Sequence, residues 1–337
     1  LTTGKNVFLL GLPVDTESLE INVKQSVLAE QHNFDAVLVG SKQKALDPWL
    51  MASHLSQFTS TIRFLVAQNT NQVTPIHSSK SLHSLAYLNN GRVDINIVSG
   101  GAVQEIINTD NHANRYSRTR EFIDIFMTLK DVGEICNYNG NYFLIDNYNL
   151  FPQPNNKFAS NVCVAGSSDD AIDIAAAYAD IYLVYANDLK LLENWYSKVR
   201  SKAEKLNRNI TCGLLIDVIA RETSKEAWEE AYKFEKRFTP IQKKMKKLYL
   251  NSVDSVGTES HRALLTYKNL RVDKNLWAGL AQISTSVPLS IVGSYQEVID
   301  TIKKLQGIGA EYFIFSGMVG KEKEIIRIGD NILPYVK

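Results

Sequence analysis

Cysteine is scarce. Cys136, Cys163 and Cys212 are the only three in 337 residues, an odd number with no Cys-x-x-Cys spacing and no neighbouring histidine pair. Neither a disulfide framework nor a zinc site is suggested, and the cytosol is the simplest compartment. Net charge is nearly absent too. Lysine and arginine total 37 against 36 acidic residues and are spread along the chain, so no broad field draws in nucleic acid or anionic lipid. No apolar run reaches the roughly 18 residues that span a bilayer, and the N-terminus lacks the charged-then-apolar layout of a signal peptide. A cytoplasmic protein without membrane or nucleic-acid partners is expected. The sequence also has no Gly-x-Gly-x-x-Gly fingerprint, no Gly-x-Ser-x-Gly elbow and no His-Glu-x-x-His pair. Dinucleotide-binding, serine hydrolase and zinc peptidase readings therefore have no local support.

What is present is apolar alternation. Hydrophobic residues make up 45% of the chain, enough for one large core and a single domain over residues 1–337. Short apolar runs stand at Val7–Leu10, Ala36–Val39, Ile62–Gln68, Val93–Val98, Val162–Ala165, Ile181–Val184, Cys212–Ala220 and Tyr312–Phe315. Helical segments separate them, and Asp47-Pro48 and Thr74-Pro75 read as helix starts with a proline in the first turn. Strands alternating with helices signal parallel βαβ units. Eight such units predict an α/β (β/α)8 TIM barrel with insertions rather than an open doubly wound sheet. The turn Asn139-Gly140, flanked by tyrosines, predicts a hairpin outside the repeat. Residues 240–275 are polar and read as an excursion between the seventh and eighth units. Within it, Lys243-Lys244-Met245-Lys246-Lys247 reads as a solvated helix face rather than a phosphate or nucleic-acid patch. His54, His77 and His83 read as packing or surface histidines.

The chain is organised around Asn89–Phe122. After the turn Asn90-Gly91-Arg92, a β-branched run ends at Ser99-Gly100-Gly101, a glycine loop able to bring backbone N–H groups close to a ligand. His112 and Tyr116 follow, one helical turn apart and so on one face. Barrel enzymes place their sites at the C-terminal ends of the strands, which directs attention to Asp15, Gln68, Asn96, Ser99, Gly166, Ser167, Asp217 and Gly317. Gly166-Ser167-Ser168-Asp169 opens a helix, so it reads either as an ordinary N-cap or as a phosphate cradle. Asn96 is either a buried amide bonded to a loop or a contact for the polar edge of a ring ligand.

The pattern Asn90-Gly91-Arg92, Asn96, Val98-Ser99-Gly100, His112 and Arg115-Tyr116 resembles the bacterial luciferase-like flavin monooxygenases, most of all their alkanesulfonate monooxygenase branch. The resemblance continues through Gly166–Asp169, Asp217–Thr223, Asn275–Gly279 and Phe313–Gly317 and so spans nearly the whole chain. It implies FMN, bound through its phosphate by Gly166, Ser167, Ser168, His112 and Tyr116. Asn96 and Ser99 would face the flavin, and Gln68 would lie beneath it, where relatives often carry a strained cis peptide at the position of Ala67-Gln68. It further implies reduced FMN (FMNH2) supplied by a separate NAD(P)H:flavin reductase, reaction with O2 through a C4a-peroxyflavin, an active-site lid over 240–275, and a homodimer or homotetramer.

The family's substrate positions depart. Residues that hold an anionic sulfonate fall at Leu215, Asp217, Met318, Ala45 and near Ser284 and Asp15. A carboxylate facing a sulfonate would repel it, so the expected substrate is a non-sulfonate organic molecule. Asp217 and Asp15 become candidate catalytic residues, as bases or as partners of a donor, unless Asp217 is only a structural ion-pair member. A catalytically inactive flavin-binding paralogue and a deazaflavin-dependent oxidoreductase are the alternatives.

Overall fold

The computed structural model describes residues 6–12, 19–41, 45–100, 111–130, 133–252, 256–284, 287–316 and 321–337. The first part runs β1 (Val7–Gly11), α1 (Leu19–Gln31), β2 (Ala36–Val39), α2 (Pro48–Ser56), β3 (Arg63–Asn69), α3 (Pro75–Leu88) and β4 (Val93–Val98). Helix α4 (His112–Lys130) and a hairpin, β5 (Ile135–Asn139) with β6 (Leu144–Asn149), lead to β7 (Val162–Ala165), α5 (Asp169–Tyr178), β8 (Ile181–Tyr185) and α6 (Leu189–Glu204). The long β9 (Thr211–Arg221) precedes α7 (Ser224–Glu235), α8 (Pro240–Ser252) and α9 (Val256–Leu264). The chain ends with β10 (Leu276–Trp277), β11 (Ser290–Ser294), α10 (Tyr295–Gly307), β12 (Tyr312–Phe315) and α11 (Lys321–Asn331).

Strands β1, β2, β3, β4, β7, β8, β9 and β12 pair in that order, all parallel, and β12 returns to β1. The barrel is closed, and its eight strands are those expected. Local chemistry starts the helices as read. Asp47 accepts from the N–H groups of Trp49 and Leu50 ahead of α2, and Thr74 from that of His77 ahead of α3. The hairpin forms around Asn139-Gly140, and its turn is held by Glu121, whose carboxylate accepts from the N–H groups of Asn141 and Tyr142.

Two strands were not expected. Beyond Ile216, where β12 stops pairing with it, β9 continues and pairs with β11 from Asp217↔Ser290 to Arg221↔Ser294. Strand β10 adds antiparallel to β11. These short pieces carry no long apolar run, because β10 and β11 are clasped onto an existing edge rather than woven into the ring. The 240–275 excursion is itself largely helical.

Side chains alternate about the strands. Leu9, Leu65, Cys163, Ile181, Leu183, Tyr312 and Ile314 fill the barrel, while Phe8, Val37, Val66, Ile95, Leu214 and Phe313 pack in the layer beneath the helices. Each such burial contributes about 1.5–3 kcal/mol. The N-terminal end is closed by a paired Arg63 and Asp94, with Arg63 Nη2 to Asp94 Oδ1 at 2.8 Å and Nε to Oδ2 at 2.9 Å. Arg92, from the Asn90-Gly91-Arg92 turn, lies at this same end and donates to the carbonyls of Ser56, Thr59 and Ile62. That motif is a structural fastening, on the opposite side of the barrel from the strand ends where ligands bind.

At the C-terminal end the interior-facing positions open to solvent. Leu38, Val98, Ala165, Leu215 and Ser316 are only partly buried, and Tyr185 is exposed. The mouth is therefore a depression, floored by the packed interior. Among the described residues no helix is long and apolar enough to cross a membrane.

Candidate functional site

Three of the residues singled out from sequence converge on the junction of β7 and α5. Gly166 takes φ +149°, and a Cβ there would stand 2.7 Å from the Ala171 Cβ and 3.2 Å from the Tyr116 hydroxyl. A side chain would fill this space, so the turn requires glycine. Tyr116 projects from the second turn of α4, one turn after His112, and their rings lie 4.6 Å apart at centroid. His112 Nδ1 is 3.5 Å from Asp170 Oδ2 in the first turn of α5. His112, Tyr116 and Gly166 thus meet at one corner of the mouth.

The two serines of the turn differ. Ser168 is the N-cap of α5, its Oγ accepting from the Ala171 N–H at 3.2 Å. Ser167 Oγ is buried and has no hydrogen-bond partner among the described residues. Deeper in the barrel, Asn96 registers against Ala67 and Cys163, and its Oδ1 is likewise buried and unpartnered among the described residues. Buried polar atoms without partners are uncommon and cost stability, so two of them around one depression suit a polar ligand. The positive end of α5 points the same way. Asp169 and Asp170 partly offset it. Asp169 turns away to Lys198, which holds its carboxyl below the ordinary range.

Ser99 sits on the neighbouring loop after β4. Its carbonyl accepts from Asn71 Nδ2 at 2.7 Å, and Asn71 Oδ1 accepts from Arg118 of α4 at 3.1 Å. Gly100 has φ +65°, and a Cβ there would come within 2.7 Å of the Asn69 amide and 2.8 Å of the Asn71 amide. Asn69 and Asn71 thus tie the loop after β3 to the glycine loop. The sequence reading passed over them, although inspecting the residues just beyond the third apolar run would have found both.

Gln68 is placed differently. It lies on the face of β3 shared with Phe64 and Val66, accepts from Trp49 Nε1 at 2.6 Å and donates to the Asn69 carbonyl at 3.2 Å. Both ends of its amide are occupied in the layer between β3 and α2. The Ala67-Gln68 bond is trans, the only cis peptide among the described residues being Phe151-Pro152. A non-proline cis bond costs about 3 kcal/mol, and the hydrogen bonds of Gln68 are satisfied without it.

Two strands round from β7, Asp217 is fully buried where β9 leaves the ring. The Ser316 hydroxyl, at the end of β12, donates to Asp217 Oδ1 at 2.6 Å, and Ser290 Oγ lies 3.3 Å from Oδ2. Ser316 is the partly exposed member of this set and was not foreseen. Asp15, Gly317 and Met318 lie outside the described residues. Of the other departing positions, Leu215 faces the mouth, Ala45 packs on the core, and Ser284 is buried with its Oγ accepting from the Val287 N–H.

Helices α8 and α9 bring two further residues to the rim. The His261 ring meets the Tyr185 ring at 4.9 Å, and Lys246 is buried beside it. The basic run is thus only partly a solvated face, since Lys244 and Lys247 are exposed and Lys246 is not.

A family model described as "Luciferase-like monooxygenase" matches residues 7–312. The chain belongs to that family. The family is one of luciferase-like monooxygenases. Among solved structures it is similar to the riboflavin lyase RcaE, described with modified FMN and riboflavin, at 16% identity and TM-score 0.80, covering 98% of this chain and 91% of that one. The long-chain alkane monooxygenase LadA matches at 17% identity and TM-score 0.79, covering 99% and 91%. The EDTA monooxygenase EmoA from Chelativorans sp. BNC1 matches at 16% identity and TM-score 0.76, covering 98% and 93%. At these identities the likeness to each structure is one of fold.

Proposed function

We propose that this luciferase-like protein is the oxygenase component of a two-component system. It takes FMNH2 from a separate NAD(P)H:flavin reductase and inserts one oxygen atom of O2 into a non-sulfonate organic substrate. The observation that carries the cofactor assignment is the orphaned Ser167 hydroxyl in a glycine turn beside Tyr116, at the start of α5. In this reading Ser167, Tyr116, His112 and the α5 N–H groups hold the phosphate. Ser168 fixes the turn as its cap, and Asn96 takes the polar edge of the ring through the same kind of unpartnered oxygen. Ser99 and the Asn71 that grips its carbonyl shape the wall beside the ring. Gln68 supports that wall from behind, through Trp49.

Reduced flavin, when bound, supplies the activation of dioxygen. The protein's own part is to orient, exclude water and handle protons. Asp217 is too buried to touch a substrate directly, and we assign it the role of holding and polarising the Ser316 hydroxyl at the mouth, with Asp15 a second candidate proton acceptor. Leu215 removes a cation from the substrate wall and Asp217 adds a buried carboxylate next to it, which disfavours a sulfonate. Helices α8 and α9 would act as the lid, since they already overhang the end of β8.

The test is anaerobic titration with reduced FMN, then admission of air with rapid-scan absorbance. Binding followed by a transient that is consumed faster when substrate is added supports the proposal. Binding without substrate-dependent oxygen uptake favours a flavin-binding paralogue without catalysis. Reduced deazaflavin binding in place of FMN transfers the site to the deazaflavin class. No binding of either cofactor removes it.

A further inference from the structure

The near-zero net charge conceals one basic stretch. Between Glu235 and Asp254 the sequence has no acidic residue and six basic ones, Lys236, Arg237, Lys243, Lys244, Lys246 and Lys247. Most of this stretch is α8, and the helix turns an apolar side to water. Ile241, Met245 and Leu248 are 71%, 66% and 61% exposed, and their helical spacing sets them in one stripe. Lys244, three residues from Ile241 and four from Leu248, borders the stripe, and the exposed Lys247 lies further round on the same side. Two lysines take no part, since Lys246 is buried and Lys243 pairs with Glu235 at 2.9 Å. Beside the start of α8, a depression lined by Tyr232, Phe238 and Lys236 adds further apolar and basic surface.

A row of exposed apolar side chains marks a contact surface, and its cationic margin states the charge of what covers it. We infer that the outer face of α8 is a peripheral docking surface for an anionic phospholipid bilayer. Ile241, Met245 and Leu248 enter the headgroup layer, while Lys236, Lys244 and Lys247 meet lipid phosphates. Side chains this exposed stand above the surface instead of lining a groove, so a fluid partner that closes round them fits better than a rigid one. A second copy of the chain fits poorly. A two-fold contact through α8 would set the lysines of one chain against the same lysines of the other. Nucleic acid would use the cations, but Ile241, Met245 and Leu248 give bases no ring to stack on. The attachment lies on the bilayer and does not span it, since no described helix is long and apolar enough to cross.

The test is co-sedimentation of the full chain, without flavin, with vesicles of phosphatidylcholine and phosphatidylglycerol in about equal amounts. Vesicles of phosphatidylcholine alone form the second arm. The expected result is binding to the mixed vesicles that weakens as salt is raised, with little binding to the neutral ones. In K244Q/K247Q the affinity falls by roughly 25-fold, about fivefold for each lysine. In M245S it falls by on the order of tenfold, through the lost apolar insertion. All substituted positions are exposed, and circular dichroism checks that each variant folds. No binding of the unsubstituted protein to the mixed vesicles overturns the inference. So does binding that M245S leaves unchanged, which would reduce it to adsorption of charge. Sedimentation velocity supplies the remaining arm. Self-association that M245S abolishes, with no vesicle binding, would assign the face to a second copy instead. No arm involves flavin, so the outcome is independent of the FMN titration above.

Discussion

The hydroxyl of Ser316 donates to the buried Oδ1 of Asp217 at 2.6 Å, joining the ends of β12 and β9 where the barrel opens. Strand β9 runs on past this point to pair with β11, so Asp217 stands at a branch of the sheet with Ser290 on its other oxygen. One carboxylate therefore secures two strand ends while its hydroxyl partner faces the mouth.

Removing the carboxylate should separate these roles from Ser316's own. Asp217→Ala strands two hydroxyls at a buried junction and should lower stability by about 1–3 kcal/mol, read as a lower urea midpoint. Ser316→Ala takes a donor from the same buried carboxylate and should also lower stability, by about 1–3 kcal/mol. It should reduce oxygen uptake and alter the pH profile of turnover. An unchanged pH profile in a well-folded Ser316→Ala protein would remove Ser316 from the chemistry.

The two serines of the α5 turn should respond oppositely. Ser167→Ala deletes a hydroxyl that bonds to none of the described residues, so stability should hold while FMN affinity falls roughly 5- to 10-fold, the loss of about 1 kcal/mol of hydrogen bonding. Ser168→Ala deletes a cap and should cost about 1 kcal/mol of stability. Flavin fluorescence titration and thermal melts distinguish them, and equal affinity for FMN in Ser167→Ala would count against the phosphate assignment.

At the opposite end, Asp94→Ala leaves the Arg63 guanidinium facing an emptied, buried site. Asp94 also accepts from the Asn161 N–H at 2.7 Å, so strands β3, β4 and the entry to β7 lose one common anchor. Breaking a buried pair costs about 3–5 kcal/mol. A denaturation midpoint unchanged in Asp94→Ala would show that the pair is not holding the barrel floor.

His261 gives the pH dependence its sign. Its folded value of about 4 lies below the ordinary 6.5, so in that window the unfolded chain binds the proton and the folded chain does not. Stability then falls as pH drops from 7 toward 4.5, by roughly 2 kcal/mol for this group, and His83, lowered by burial, acts in the same direction. His261→Gln should flatten the decline, as measured by urea unfolding at the two pH values in buffers free of carboxylate. An equally steep decline in that variant would locate the effect elsewhere.

The primary structure was sufficient for the ring of eight strands, the proline-marked helix starts and the Asn139-Gly140 hairpin. Each rests on a local rule: apolar runs of strand length, a capping side chain beside a fixed φ, a turn needing special backbone angles. It also marks Gly166 and Tyr116, through spacing and family pattern. Which way a strand residue points was not legible. In a parallel barrel both faces of a strand are buried, so the apolar run gives no alternation to read. Gln68 and Asn96 look alike in sequence, yet one faces the helix layer and the other the barrel interior.

Folding in three dimensions settled the partnerships that have no local cause. Ser167 and Ser168 are neighbours of the same type, and only the position of Ala171's N–H makes one a cap and leaves the other free. Asp217 meets Ser316 across 99 residues, and Lys246 is buried near His261 of α9, against the apolar logic of its own helix. Such contacts depend on where distant elements come to rest, which is a property of the packed whole and not of any short stretch of chain.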